Sequence, residues 1–520
     1  MSIRSTRRIR RGAASFVVGA AVSAALFRLL GSGPPSIVHP VPPSAPLVSP
    51  DAPLPFAPGT VLSRFKDGGL DQKLAARDIG APVTEAINAD THDVTIRFDT
   101  SIPVGNAVKA LRRDPEVVFA EPDGFCEADY TPDDPMLNDQ WHLKTIHAPE
   151  AWDTLRKVNS NVRLAIIDTG IDYTHPDLER IMARDSKGDL VGKSFVPNTT
   201  GPLDDHGHGT HCAGIAAADT DNGVGVAGVG FRSFKLVPVK VLSASGSGGW
   251  DAVANGITWA ADNGCRVESM SLGGYFYSQG IQDAVDYAWS KGVIVVAAAG
   301  NSSSPSPGSP ADCNHVMAIS ATDSKDRLAS FSNYGRPIAV GAPGVNILAT
   351  MPTYDCTMTR GGRCKKNYDY LSGTSMACPV TAGMVAALLA YQPSLKPEEA
   401  IQRIEQTTDN TAGAPDGGWE AQFGHGRVNL ANAIAGRARK SSLGCFYGQI
   451  VNRNAVAVPN ATVRCGSVSV TTGPDGMFRL ANLKTGSHTL SVTSSSGTGT
   501  KTASIVPGAD VNVTITVSSG

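Results

Sequence analysis

Residues 162–170 read Val-Arg-Leu-Ala-Ile-Ile-Asp-Thr-Gly, and residues 293–301 read Val-Ile-Val-Val-Ala-Ala-Ala-Gly-Asn. Each is a short apolar run that ends in a polar side chain beside glycine. A strand with one wet face alternates apolar and polar residues. A run this uniformly apolar is buried on both sides, as in a parallel sheet covered by helices. Lys235–Val241, Val267–Met270 and Val316–Ala321 have the same character, and helical patterns follow at Asp251–Asn263, Ile281–Lys291 and Met376–Ala390. This alternation between Trp141 and Ala435 predicts an α/β domain with a mostly parallel sheet flanked by helices. Ligands of such sheets bind beyond the carboxyl ends of the strands. Asp168 and Asn301 fall there, although a turn former is the commoner occupant of either position.

Upstream, Val61–Phe65 and Val94–Phe98 alternate like strands. Ser101–Asp114 carries Val104, Ala107, Val108 and Leu111 at helical spacing, and Val117–Ala120 supplies another strand. A small α+β module is expected over 59–128, preceded by a Pro/Ser/Gly-rich linker over 31–58 that has too little apolar surface to order itself. Residues 1–30 combine Arg7, Arg8, Arg10 and Arg11 with an apolar run from Ala13 to Phe27, the pattern of an export signal. The paired arginines also suit a twin-arginine signal. Arg28 interrupts the run and no clear small-residue cleavage site follows, so a signal anchor stays open. Downstream of the α/β body (129–438), residues 442–520 are Val/Thr/Ser/Gly-rich. Turn signals at Pro459-Asn460, Gly473-Pro474-Asp475-Gly476 and Thr485-Gly486 predict a small all-β sandwich.

A chain of 520 residues is long enough for several cores. Six of its 45 Lys+Arg lie in the first fifty residues, which leaves 39 against 47 Asp+Glu, or −8, for the remainder. A mildly acidic body without a basic stripe argues against nucleic acid as a partner, and a monomer is expected. Nine cysteines leave at least one unpaired within the chain. Cys356 with Cys364, and Cys445 with Cys465, are the disulfide candidates, which fits an exported, extracellular protein.

Two further segments carry chemistry. His206-Gly207-His208-Gly209-Thr210-His211-Cys212-Ala213-Gly214 places three histidines among glycines ahead of a small-residue helix. It suits either a metal cluster or one histidine presented as a general base. Leu371-Ser372-Gly373-Thr374-Ser375-Met376-Ala377 places a serine at the start of an Ala-rich helix, where a helix cap is the ordinary role. A serine hydroxyl is a weak nucleophile until a base takes its proton and a carboxylate fixes that base. Asp168, His208 and Ser375 supply these types in that order, and an amide such as Asn301 is a suitable oxyanion donor.

Asp168-Thr169-Gly170, His208-Gly209-Thr210-His211, Ala299-Gly300-Asn301 and Gly373–Ala377 with Pro379 resemble the four signatures of the subtilisin-type serine endopeptidases. Tyr130–Pro135 and His211–Ala218 are similar to the thermitase-like members. The resemblance implies Ser375 as nucleophile, His208 as general base, Asp168 as its orienter and Asn301 as oxyanion donor with the Ser375 N–H. It implies polypeptide substrates held between Ser247-Gly248-Gly249-Trp250 and Ser271-Leu272-Gly273, with Gly300 beside the pocket and Gly308 at its floor. No charge lines these segments, so large apolar side chains are expected before the scissile bond. A structural Ca²⁺ is implied on Asp134, Asp177 and Asn222, with carbonyls of Asp219, Val224 and Val226. The module ending Val117–Asp123 resembles the family's inhibitory pro-regions, which implies a zymogen that cuts itself between about Gly124 and Tyr130. The tail resembles transthyretin-like repeats found beside carboxypeptidases. Rival readings are a zinc hydrolase on His206, His208 and His211, which lacks a Glu-bearing zinc motif, and an inactive scaffold.

Overall fold

The computed structural model describes residues 56–66, 83–88, 93–124, 130–360, 362–410 and 418–518. The export segment, nearly all of the linker, the cleavage junction and Cys126 lie outside them. The chain divides into two compact units, up to Ala128 and from Asp129.

In the first unit four strands, β1 (Phe56–Phe65), β2 (Val83–Asn88), β3 (Asp93–Arg97) and β4 (Val117–Gly124), form an antiparallel sheet in the order β2-β3-β1-β4. The helix Val104–Leu111 turns Val104, Ala107, Val108 and Leu111 inward onto Val61, Phe65, Val94 and Ile96. The spacing of those four residues is what makes one face of the helix apolar.

In the second unit seven parallel strands stand in the order β11-β10-β9-β8-β5-β7-β6. They are β5 (Arg163–Asp168), β6 (Lys193–Ser194), β7 (Lys235–Lys240), β8 (Cys265–Met270), β9 (Ile294–Ala298), β10 (Val316–Thr322) and β11 (Ile338–Pro343). Leu164 and Ile166 of β5 enter the core shared with the helices His208–Ala217 and Thr374–Tyr391. Ala165 and Ile167 enter the opposite core, shared with the helices Trp250–Asp262 and Gln279–Ser290. Both faces are covered, which is why the strands show no polar alternation. Because the strands run in parallel, the adjacent strands β9, β8 and β5 deliver Asn301, Ser271 and Asp168 to their common carboxyl end. A hairpin of β12 (Ile347–Thr350) and β13 (Tyr368–Leu371) then leads into the helix bearing Ser375.

The tail is the expected two-sheet sandwich. Its inner sheet contains β14 (Leu443–Val451), and its outer sheet opens with β15 (Thr462–Cys465). The core includes Phe446, Val463, Phe478, Leu490 and Ile515.

The expected disulfides are not formed. Cys356, Cys364, Cys445 and Cys465 are free, buried thiols, as are the other four described cysteines. Cys465 points into the sandwich core, whereas Cys445 lies with His425 and Asp510 where the sandwich meets the α/β body. The two thiols therefore face different surroundings. Cys356 and Cys364 pack as apolar groups in one cluster with Met351 and Met358.

Candidate active site

Asp168 ends β5 fully buried, and its Oδ1 accepts hydrogen bonds from His208 Nδ1 at 2.7 Å and from the Thr169 N–H at 2.7 Å. His208 opens its helix beside that turn, and the approach requires Gly209. A Cβ there would lie 2.1 Å from the Gly170 carbonyl oxygen. Burial alone would depress the imidazole pKa. The adjacent carboxylate overrides it and holds His208 well above the ordinary histidine value. Burial pushes the neighbouring Cys212 thiol up, so it stays neutral.

A general base works only when unprotonated. A raised pKa retains the proton to higher pH, so activity is lost as pH falls through that value. The acid limb of kcat/KM is therefore expected above pH 6.5 in a pH–rate profile, and a limb below 6.5 would contradict this environment for His208.

Ser375 is the second residue of the helix Thr374–Tyr391, which contains Pro379. Proline has no N–H to return to the carbonyl four residues back. That carbonyl belongs to Ser375, and it accepts instead from Ser271 Oγ at 2.7 Å and Cys212 Sγ at 3.4 Å. Cys212 Sγ is also 3.9 Å from His208 Nδ1, so one thiol touches both helices. The Ser375 hydroxyl donates to the Ser271 carbonyl at 3.3 Å rather than to the His208 ring. Bonds between nucleophile and base commonly tighten only when substrate arrives.

Asn301 follows β9, and its Oδ1 accepts from the Thr374 N–H at 2.8 Å and Thr374 Oγ1 at 3.0 Å. With the oxygen engaged, Nδ2 is presented as a donor. A Cβ on Gly373 would stand 3.5 Å from Asn301 Nδ2 and 3.6 Å from the Ser375 nitrogen, so both donors border one small space. The site can thus accept negative charge developing on a carbonyl oxygen.

Next to His208 runs a groove of about 600 Å³, edged by Ser247, Gly248, Gly249 and Trp250 on one side and Ser271, Leu272 and Gly273 on the other. Trp250 packs on Gly274, where a methyl would come within 2.4 Å of its ring. Tyr275 and Phe276 stand exposed at the rim. Gly300 is not part of this lining. Its N–H donates to Thr374 Oγ1 at 3.0 Å, at the Asn301 end of the site.

The three histidines do not converge as a zinc cluster would require. His208 Nδ1 is bound to Asp168, while His211 Nε2 lies 3.0 Å from the Asp369 carbonyl and is pushed down to about 4 by burial.

Three positioning residues escape sequence reasoning. Buried Asp204 accepts from the N–H groups of His206 and Gly207 and from Thr169 Oγ1 on one oxygen, and from the Thr210 N–H and hydroxyl on the other. It thereby fastens the His208 loop to the turn after Asp168. Lys240, opposite Asp168 on β7, donates to the Thr169 carbonyl at 2.6 Å and to Asp205 at 2.6 Å. Thr374 orients Asn301. Thr374 stands within the Gly373–Ala377 segment and Asp204 in the carboxylate pair ahead of His206, but neither pattern by itself gives the role.

Away from the groove, Asp177 Oδ1 accepts from Asn222 Nδ2 at 2.8 Å and Oδ2 from the Val226 N–H at 2.9 Å. The Asp219 N–H donates to the Asp177 carbonyl. Asp134 accepts from the Asp221 N–H at 2.8 Å, just before Asn222 and Val224. Burial and the charge of Asp134 push Asp177 up to about 6, and burial also raises Asp134. Two buried carboxylates, Asp177 raised in part by the charge of Asp134, are hard oxygen donors of the kind a divalent cation takes, and in this structure N–H groups of Asn222, Val226 and Asp221 meet them.

Residues 159–426 match the model of the Subtilase family, and residues 42–123 match that of the fervidolysin N-terminal prodomain. Thermitase of Thermoactinomyces vulgaris is 44% identical over 307 residues, 59% of this chain and 99% of that protein. The thermophilic serine proteinase of Bacillus sp. (strain AK1) is 39% identical over 385 residues, 73% of this chain and 88% of that protein. Among solved structures, fervidolysin from Fervidobacterium pennivorans has the same fold, with a TM-score of 0.55 at 24% identity over 88% of this chain and 78% of that one. A protease from Pseudoalteromonas arctica matches with a TM-score of 0.52 at 32% identity, over 59% of this chain and 99% of its own.

Proposed function

Because the chain belongs to the subtilase family and is a subtilisin-type serine endopeptidase, we propose that Ser375 is its nucleophile, His208 its general base and Asp168 the group that orients His208. The observation that carries this reading is the 2.7 Å bond between Asp168 Oδ1 and His208 Nδ1. It fixes the tautomer that leaves Nε2 free to take a proton. Ser375 Oγ attacks the scissile carbonyl while His208 accepts its proton. The oxyanion is met by Asn301 Nδ2 and the Ser375 N–H. Collapse expels the amine, to which His208 returns the proton, and water attacks the acyl-enzyme by the same steps in reverse.

An extended peptide would lie between Ser247–Trp250 and Ser271–Gly273 as an added strand, so that main chain supplies affinity and pockets supply preference. The edges carry no carboxylate or ammonium group. A Lys or Arg before the scissile bond would lose water without gaining a partner, so broad cleavage with a bias towards large apolar residues follows. The precursor is read as a zymogen whose pro-region is its own inhibitor, and the mature enzyme as a secreted, calcium-stabilised monomer. Cleavage-site profiling on denatured protein mixtures tests the specificity. Cuts clustered after large apolar residues are expected, and a profile dominated by paired basic residues would overturn it.

Ca²⁺ held by Asp134, Asp177, Asn222 and the carbonyls of Asp219, Val224 and Val226 would offset the repulsion between the two carboxylates. A ligand bound only by the native state adds RT ln(1 + [L]/Kd), about 2.7 kcal/mol at a hundredfold excess over Kd. Chelation is expected to lower the melting temperature, and Asp177→Ala to abolish that sensitivity. Identical melting with and without chelator would contradict the site.

A further inference from the structure

The groove wall does not end within the α/β body. Its outer stretch, Gly274 to Ser278, is clamped to Gly308–Asp312, which opens with Gly308, the residue expected at the pocket floor. A Cβ on Gly308 would lie 2.2 Å from the Gly274 carbonyl oxygen, and the Gly274 N–H donates to the Ser309 carbonyl at 2.9 Å. Ser309 Oγ accepts from the Ser278 N–H at 2.9 Å and donates to Asp312 at 2.7 Å. Wall and floor therefore move together.

The β-sandwich meets this clamp at Tyr277 and, two residues beyond Asp312, at Asn314. Tyr277, between Phe276 and Ser278, donates its hydroxyl to Gln279 Oε1 at 3.1 Å and accepts from Gln449 Nε2 at 3.2 Å. Gln449 lies on β14 and is 3% exposed; it also donates to the Asp475 carbonyl at 2.8 Å, which fixes its amide within the sandwich. At the other end, Asn314 receives a bond from Asn512 Nδ2 at 2.7 Å and donates to Thr514 Oγ1 at 3.2 Å. Asp475 pairs with Arg336 of the body, and Arg479 donates to the Arg336 carbonyl at 2.7 Å. These polar contacts, most of them partly buried, link named groups on the sandwich to named groups on the body, and such links favour one arrangement of the parts they join.

We infer that the C-terminal sandwich is a structural part of the substrate pocket, with Gln449 acting through Tyr277 as a positioning residue for the wall that receives a large side chain before the scissile bond. The inference rests on the reading of the groove given above. A sandwich that served only as a separate binding module would leave the hydrolysis of short peptides unaffected by these two residues.

The test compares wild type, Tyr277→Phe, Gln449→Leu and the double variant, each as the full chain matured to active enzyme. The substrates are short chromogenic peptides carrying Phe or Ala before the scissile bond. Loss of the hydrogen bond between Gln449 and Tyr277 predicts a KM about three- to tenfold higher for the Phe peptide in either single variant. With kcat within about twofold, the loss is one of binding rather than of transition-state chemistry. The Ala peptide should change less than twofold, and the double variant should lose less than the product of the single losses, because the bond between Gln449 and Tyr277 is removed by either substitution. Tyr277→Phe keeps the ring and so guards against misfolding of Gln449→Leu. Unchanged KM for the Phe peptide in Tyr277→Phe, or equal loss of kcat on both peptides, would overturn the inference. A wild-type enzyme that cleaved neither peptide would overturn the parent reading of the groove and this inference with it.

Discussion

Replacing Ser375 by alanine is expected to lower turnover by about 10⁶ while leaving the fold and melting temperature in place. Among the described residues the hydroxyl has one hydrogen-bond partner, the Ser271 carbonyl at 3.3 Å, and a methyl fits the space it leaves. The main-chain carbonyl of Ser375 keeps its bonds from Ser271 and Cys212, so the groove wall stays attached to the helix. Steady-state hydrolysis of a chromogenic peptide measures the loss, and more than a few per cent residual activity in a contaminant-free preparation would defeat the assignment. The same variant tests maturation. If the junction between about Gly124 and Tyr130 is cut by the chain's own active site, the alanine precursor accumulates uncut even when concentrated. Processing at the normal rate in a host lacking other proteases would refute self-cleavage.

Asn301→Leu is expected to cost roughly 10²–10³ in kcat with little change in KM, because one of two oxyanion donors is lost and the Ser375 N–H remains. Leucine also leaves the Thr374 N–H and hydroxyl without the oxygen they now share at 2.8 and 3.0 Å. A modest drop in melting temperature should therefore accompany the kinetic loss. Peptide kinetics at saturation separates the two effects. A kcat within tenfold of wild type would place the oxyanion elsewhere.

What could be read from the sequence was whatever each residue reports about its own neighbours along the chain. Apolar runs such as Val162–Ile167 and Val293–Ala298 reveal strands covered on both faces, and the structure places each within a residue or two of the expected bounds. The apolar helix over Met376–Ala390 begins two residues earlier than its periodicity suggests, because Thr374 and Ser375 are held there by Asn301 and Ser271 and not by apolar burial. Strand β6, only Lys193–Ser194, exists through pairing with β7 and has no local signal. Asp204 and Lys240 were illegible for a related reason. Their value lies in contacts with Thr169, which is 35 and 71 residues away. The docking of the sandwich on Tyr277, Asn314 and Arg336 was equally hidden, since no periodicity encodes which loop a glutamine on a distant strand will meet. For Cys445 and Cys465 the disulfide expectation failed because closeness along the chain says nothing about side-chain direction, and the two face different layers, whereas Cys356 and Cys364 share one cluster as free thiols.

The most direct test of the central claim is covalent. The mature enzyme is treated with a serine-directed phosphonate, digested, and the adduct located by mass spectrometry. A single adduct on Ser375 that forms in proportion to the loss of activity, and is absent from Ser375→Ala, is the predicted result. Full activity after treatment with no adduct, or inactivation that maps to another serine, would contradict it.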